Sequence, residues 1–381
     1  MNTLGKIWRR ITAQSVKYQP LIEVRIFKDA LLNNLHQFQK TYPKFKFAPV
    51  LKSNAYGYGL VQVAKIFDKQ PIAFFTVDSF FESLVLRREG LKSKILVLGY
   101  ATMEQINKSR LKDLSFAIID LQQLKNIANS LSHTTAFHLK IDTGMHRQGI
   151  LPEDLEQAIS LIKSNPKIIL EGACSHFADA DGADQNFTKT QIQKWNQLSE
   201  KLKSQFPTIK YLHLSNTAGA FFLPEIKANV ARVGIGLFGF NTSPFSNLKL
   251  RPALEMASMI TSIKTIPSGE KVGYNITYTA PREVKVATVP VGYNEGVDVR
   301  LSNKGFFKLG ANFCAIVGKV SMNMCSIDVS DVKNVKLEDE VIVISKNPED
   351  KNSIDNIIKI CGSSRYEVPI HIPQHLRRVV I

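Results

Sequence analysis

The sequence predicts an α/β protein, a (β/α)8 barrel of the TIM type followed by a mostly β C-terminal domain, and three observations predict it. Short apolar runs alternate with longer amphipathic ones about eight times over about 200 residues, the arithmetic of such a barrel. After Phe240 the texture changes: the turn-rich stretch Asn241-Thr-Ser-Pro-Phe-Ser-Asn247 marks a boundary, and alternating runs punctuated by glycine and asparagine follow it. A chain of 381 residues, 44% of them hydrophobic, supplies core enough for two domains. The expected division is a barrel over 21–250 and a β domain over 251–381, with 1–20 as an extension. A doubly wound open sheet is the competing architecture, and the strand count disfavours it.

In chain order, Leu21-Ile-Glu-Val24 is a short strand candidate that, with or without what precedes it, is available to pair with the β domain. Residues 29–40 carry Ala30, Leu31, Leu35 and Phe38 near helical spacing. Strand-like runs follow at 47–52, 72–77, 95–99, 116–120, 137–142, 168–175, 211–215 and 230–235, with helix-length segments between them at 79–89, 103–111, 121–131, 152–163 and 188–203. Beyond the boundary, 255–265, 283–291, 315–329 and 340–345 read as strands of a separate β domain, where helices mostly disappear.

Composition narrows the function classes. No apolar run approaches the roughly 18 to 20 residues that span a bilayer. The first twenty residues carry Lys6, Arg9, Arg10 and Lys17 but no apolar block or cleavage site, so a secretory signal is not expected; Ile7, Trp8 and Ile11 make at most a short basic amphipathic face. Cys174, Cys314, Cys325 and Cys361 fall at no metal-ligand spacing and fit a reducing cytoplasm, and no metal site is expected. The formal charge is +16, yet the lysines are scattered and no nucleic-acid module appears, so neither nucleic acid nor membrane is the expected partner.

In a barrel, chemistry gathers at the carboxyl ends of the strands. Those ends hold Lys52 and Tyr56, Asp78, Asp120, Lys140 with Asp142 and Arg147, His176, Asn216 with Thr217, and Arg232 with Gly234. A lysine where a strand runs out is partly desolvated, which lowers its pKa as a Schiff-base lysine or general base requires. The plainer reading is a stem covering the sheet end with its ammonium in water. The loops after strands seven and eight, Ser215-Asn-Thr217 and Gly234-Ile-Gly236, offer small residues whose backbone amides can approach an anion, so a phosphorylated ligand suits them.

The segment Val50-Leu-Lys-Ser-Asn-Ala-Tyr-Gly-Tyr-Gly59 resembles the pyridoxal phosphate (PLP) lysine segment of the alanine racemase family, fold-type III PLP enzymes. The resemblance runs through His138-Leu-Lys-Ile-Asp-Thr-Gly-Met-His-Arg147, Ala231-Arg-Val-Gly-Ile-Gly236, the turn 268–279, Pro290-Val-Gly-Tyr-Asn-Glu-Gly296, 301–305, Val317-Gly-Lys-Val-Ser-Met-Asn-Met324 and Tyr366-Glu-Val368, covering roughly 21–381. It implies a PLP-dependent isomerase that interconverts L- and D-alanine by two-base proton transfer, supplying D-alanine for peptidoglycan. Lys52 would carry the cofactor as an imine and serve the D face; Tyr274 would be the base on the L face. Tyr56, Thr217, Gly234 and Ile235 would hold the phosphate, with Asn216 beside them. His176 would lie beside the pyridine ring, and Arg232 would donate to its nitrogen with His213 behind it. Arg147 and the backbone of Met322 would hold the substrate carboxylate. Lys140, carbamylated in many family members, would orient Arg147. In the family the tyrosine comes from the other subunit, which implies a homodimer with shared sites. An arginine cannot readily protonate the pyridine nitrogen, so the ring is a weaker electron sink and proton exchange stays local to the α-carbon.

The chain departs from the family at Asn323, where aspartate is usual, at Thr217, where serine is usual, at Asn275, where glycine is usual, and near Gln374, where a gate tyrosine falls. These departures bear on substrate breadth. The alternatives are a broader-specificity racemase or decarboxylase of the same fold, and a non-catalytic PLP-binding protein, which the β domain disfavours.

Overall fold

The computed structural model describes residues 18–381. The eight barrel strands, preceded by β1 (Glu23–Ile26), are β2 (Lys46–Pro49), β3 (Phe75–Val77), β4 (Ile95–Val97), β5 (Leu114–Ile118), β6 (Thr135–Lys140), β7 (Ile168–Cys174), β8 (Tyr211–His213) and β9 (Val230–Val233). Strands β3 to β8 pair in sequence order and in parallel. Parallel pairing of β2 with β9 joins the two ends, and the ring closes through Leu51 N–H to Thr76 O at 2.8 Å on one side and Asn229 N–H to Leu212 O at 3.0 Å on the other. The predicted (β/α)8 barrel is therefore present, with each predicted run on a strand.

The intervening helices form where apolar spacing and caps coincide. Lys28–Thr41 buries Leu31, Leu35 and Phe38 on one face. Phe80–Arg88 opens with a capping box between Ser79 and Glu82, and Leu121–Ser130 opens on the Asp120 carboxylate, which accepts from the amides of Gln122 and Gln123. Asp120 thus serves as a helix cap, and Asp142 likewise accepts from the amides of Gly144 and His146 and shapes the loop that carries Arg147.

Strand β1 lies outside the barrel. It pairs antiparallel with β10 (Leu254–Met259) and parallel with Arg378–Val380, at the edge of a six-stranded sheet completed by Glu340–Ile344, Phe306–Leu309 and Asn312–Ala315. A three-stranded sheet of Ser262–Ile266, Val284–Val289 and Cys325–Asp328 and the hairpin Lys271–Val272 with Tyr278–Thr279 complete the β region. Two expectations need correction. The run 315–329 is not one strand, because a loop over 318–324 separates Asn312–Ala315 from Cys325–Asp328. A helix at Ile354–Cys361 also escaped notice, although Ile354, Ile357 and Cys361 are buried at helical spacing. The barrel and the six-stranded sheet share one apolar cluster, which runs from Leu31 and Phe116 to Met256 and Val343. Among the described residues no helix is long and apolar enough to cross a membrane. The extension at 1–20 lies, except for its last three residues, outside the described residues.

Candidate active site

Directly after β2 the chain makes an unusual turn. Lys52 is followed by Ser53, Asn54, Ala55 and Tyr56, all in the left-handed helical region with φ between 51° and 56°. Side chains pay about 1–2 kcal/mol per residue for that geometry. Local bonds offset it: Leu60 N–H donates to Asn54 Oδ1 at 2.8 Å, Gly59 N–H to Asn54 O at 2.9 Å, and Ser53 N–H to Glu82 Oε1 at 2.7 Å. The C-terminal segment clasps the same turn. Arg378 Nε donates to Gly57 O at 2.8 Å, and a Cβ on Gly57, whose φ is +87°, would fall 1.8 Å from Pro369 O.

The turn and the strand ends enclose a cavity of about 360 Å³. Ten of the residues singled out in the sequence line it: Lys52, Tyr56, Lys140, Arg147, His176, Asn216, Thr217, Arg232, Gly234 and Ile235. Lys52 is half-buried and Arg147 exposed, whereas Lys140, Thr217 and Arg232 are buried. His213 sits behind Arg232, fully buried. Tyr366, Asp181 and Thr242 also line the cavity and had not been singled out for the site. Tyr366 comes within 6.1 Å of Tyr56, ring to ring, a contact between distant segments that no local pattern announces.

Arg232 is locked in place. Its Nη1 donates to His213 Nδ1 and to His213 O at 2.9 Å, and its Nη2 donates to Ser175 O at 2.7 Å, Leu214 O at 3.2 Å and His176 Nδ1 at 3.1 Å. Burial pushes the His176 imidazole down to about 3, helped by Arg232 and Lys140, so the ring is neutral with its proton on Nε2. Burial also lowers the Lys140 ammonium, with Arg232 and Arg147 adding to the effect; Lys140 Nζ donates to Gln148 Oε1 at 2.9 Å.

On the opposite wall, Thr217 Oγ1 accepts from the amides of Gly234 at 3.3 Å and Gly236 at 3.2 Å. A Cβ on Gly234 would stand 2.3 Å from Tyr56 Oη, so glycine is what lets the phenol and the loop amides converge. Two hydroxyls and backbone amides beside Arg232 make a donor set suited to a phosphate ester on an aromatic ring, and the cavity fits PLP in this respect. Among the described residues no cluster of histidine, cysteine, aspartate or glutamate could hold a metal ion.

Tyr274 and Met322 are not brought into this cavity. Tyr274 stands on the 3-10 turn Tyr274–Ile276 beyond the hairpin strand Lys271–Val272, 69% exposed, and Met322 is 56% exposed on the loop between the strands Asn312–Ala315 and Cys325–Asp328. Asn323 Nδ2 donates to the buried Glu295 carboxylate at 2.7 Å, which ties that loop to the turn at Tyr293.

Comparison with known proteins agrees with this geometry. Residues 26–242 match the family model described as alanine racemase, N-terminal domain, and residues 253–380 that of alanine racemase, C-terminal domain. An alanine racemase of Lactobacillus gasseri is 34% identical over 369 residues, covering 93% of this chain and 96% of that one. One of Methanococcus maripaludis is 32% identical over 360 residues, covering 92% and 96%. Among solved structures, alanine racemase of Clostridium difficile 630 superposes with a TM-score of 0.88 at 30% identity, covering 96% of this chain and 97% of that one. With both domain models matched in order along one chain, this protein belongs to the alanine racemase family.

Proposed function

We propose that the protein is a PLP-dependent racemase that interconverts L- and D-alanine in the cytoplasm and so supplies D-alanine for peptidoglycan. The carrying observation is the convergence of Lys52, Arg232 and the Tyr56–Gly234 contact on one cavity. When bound, PLP withdraws electrons from the substrate α-carbon and makes its hydrogen acidic. Tyr56, Thr217 and the amides at Gly234 and Ile235 hold the phosphate, with Asn216 alongside. Arg232 would donate to the pyridine nitrogen and keep its own proton, since a guanidinium holds its proton even where burial lowers its pKa. Lys52 Nζ anchors the cofactor and handles the proton on the D face. Arg147 and the backbone of the partner subunit's Met322 would hold the substrate carboxylate, while Lys140 would orient Arg147 and His176 would lie beside the ring.

Inversion needs a second proton handler on the opposite face, since a single base returning its own proton preserves configuration. Tyr274 of the partner subunit fills that role in a homodimer. Support comes from the exposed loops of the β domain, where Tyr274, Ile276, Met322 and Met324 are each more than half exposed, an apolar surface suited to burial against a second copy. The division into a barrel over 21–250 and a β domain over 251–381 belongs to the same proposal, except that β1 from the first segment joins the sheet of the second. The four cysteines are free and buried, which fits a reducing compartment. Gln374 lines an open groove beside Ser53, and this favours a second reading with larger amino acids also admitted.

The test is deuterium wash-in from heavy water at the α-carbon of alanine with added PLP, read together with product chirality. Exchange with racemisation supports the proposal; protein that binds PLP yet exchanges no α-hydrogen overturns it.

A further inference from the structure

Arg232 is a buried cation whose partners among the described residues are all backbone carbonyls or imidazoles. A buried charge without a counter-charge is costly, so the hydrogen bonds leading away from it are informative. Each link fixes the next. A guanidinium only donates, so His213 Nδ1 must accept from it. Burial keeps His213 neutral, which leaves its proton on Nε2. That Nε2 lies 2.8 Å from His138 Nδ1, which must therefore accept in turn. His138 is also buried and neutral, so its proton is on Nε2 as well, where it has no hydrogen-bond partner and faces Glu171 Oε2 at 3.9 Å. Glu171 is buried, accepts from Ser115 Oγ at 2.7 Å and pairs with Lys94. No other assignment of protons satisfies every link.

The barrel interior is shaped around this line. A Cβ on Gly172 would fall 2.5 Å from His138 Nδ1, so the glycine on β7 makes room for the ring. The pairing of β6 with β7 shifts register between Phe137 and His138. Tyr211 stacks on His138 at 5.7 Å, and Phe74 meets both imidazoles at 5.4 Å. A side chain that merely filled the core would not require a glycine opposite it and aromatic walls on two sides.

We propose that His138 and Glu171 are positioning residues for Arg232. With His213 they form one polarised column through the barrel interior, hydrogen-bonded from Arg232 to His138 and closed by the 3.9 Å approach of His138 to Glu171, the counter-charge of the guanidinium. The column makes His213 a stronger acceptor and holds Arg232 to a single orientation, as second partners do for other buried imidazoles. What this does for the cofactor rests on the racemase reading; the column itself does not.

Two measurements test it. In the [15N]histidine spectrum of the holoenzyme at neutral pH, His213 and His138 should each show a protonated Nε2 and a bare Nδ1. A proton on Nδ1 of either ring, or a doubly protonated ring, overturns the column. The second is a cycle of urea unfolding, with cofactor removed throughout, on the wild type, Glu171→Gln, Arg232→Met and the double variant. Glu171→Gln should lower the folding equilibrium constant about tenfold more when Arg232 is present than when it is methionine, a coupling in the usual range for linked groups. Equal costs in the two backgrounds would mean that Glu171 serves only Lys94 and Ser115, and the proposal falls. Should a variant fail to fold, the wild-type spectrum still decides. Neither measurement involves turnover, so failure here leaves the racemase reading standing, and α-hydrogen exchange tests that reading separately.

Discussion

Substituting Gly234 with alanine isolates the cofactor cradle from the rest of the fold. Gly234 has φ −110° and ψ −94°, a pair outside the regions open to alanine, so the added methyl brings backbone strain as well as a steric clash. Its Cβ would stand 2.3 Å from Tyr56 Oη and 2.9 Å from Cζ, roughly 1 Å inside the ~3.5 Å at which heavy atoms pack comfortably. Tyr56 has little room to yield, since its ring is flanked by Phe238 at 5.3 Å and Tyr366 at 6.1 Å. Overpacking of this kind costs about 1–3 kcal/mol. If the phenol must return to its place to hold the phosphate, that cost appears as a roughly 5- to 140-fold weaker Kd for PLP. The assay is cofactor titration followed by visible absorbance, with the Tm of the cofactor-free protein measured alongside. An unchanged Kd in Gly234→Ala would refute the placement of the phosphate between Tyr56 and the Gly234 loop.

Further expectations are more direct. Lys52→Ala should abolish the absorbance of covalently held cofactor, whereas Tyr274→Phe should keep it and slow α-hydrogen exchange mainly from L-alanine; equal exchange from both enantiomers at wild-type rate would remove Tyr274 as the second base. Mixing Lys52→Ala and Tyr274→Phe subunits should restore about a quarter of wild-type activity, because random pairing gives half hybrids and each hybrid has one intact site. No recovery after subunit exchange would argue against shared sites. Burial alone would raise the Glu171 carboxyl, but the His138 imidazole facing it at 3.9 Å and the bonds from Lys94 and Ser115 outweigh it and bring the group down to about 2. Its folded pKa is thus depressed, so its contribution to stability is full above the ordinary value near 4.5 and is lost as pH falls from there toward about 2. Acid unfolding curves of Glu171→Gln should accordingly be flatter over that window than those of the wild type.

The barrel was legible because strand and helix periods differ and repeat, and because the residues at strand ends were of types that a solvated loop rarely concentrates. Lys52, Arg232 and the Gly234 loop could be found that way. Tyr366 could not, because its place beside Tyr56 depends on the C-terminal segment folding back over the barrel mouth. The loop over 318–324 was hidden by apolar residues that read as strand, although Met322 and Met324 are exposed. His138 and Glu171 read as ordinary strand positions; only the register shift and the ring over Gly172 reveal what they face.

The clasp on Gly57 by Pro369 and Arg378 sets an order of events during synthesis. Gly57 leaves the ribosome 321 residues ahead of Arg378, which closes over its turn, and Arg378–Val380 must then find β1. A nascent chain therefore cannot finish the turn after β2 until the second domain has emerged, and a chain cut short of Pro369 leaves Lys52 in an unfinished pocket.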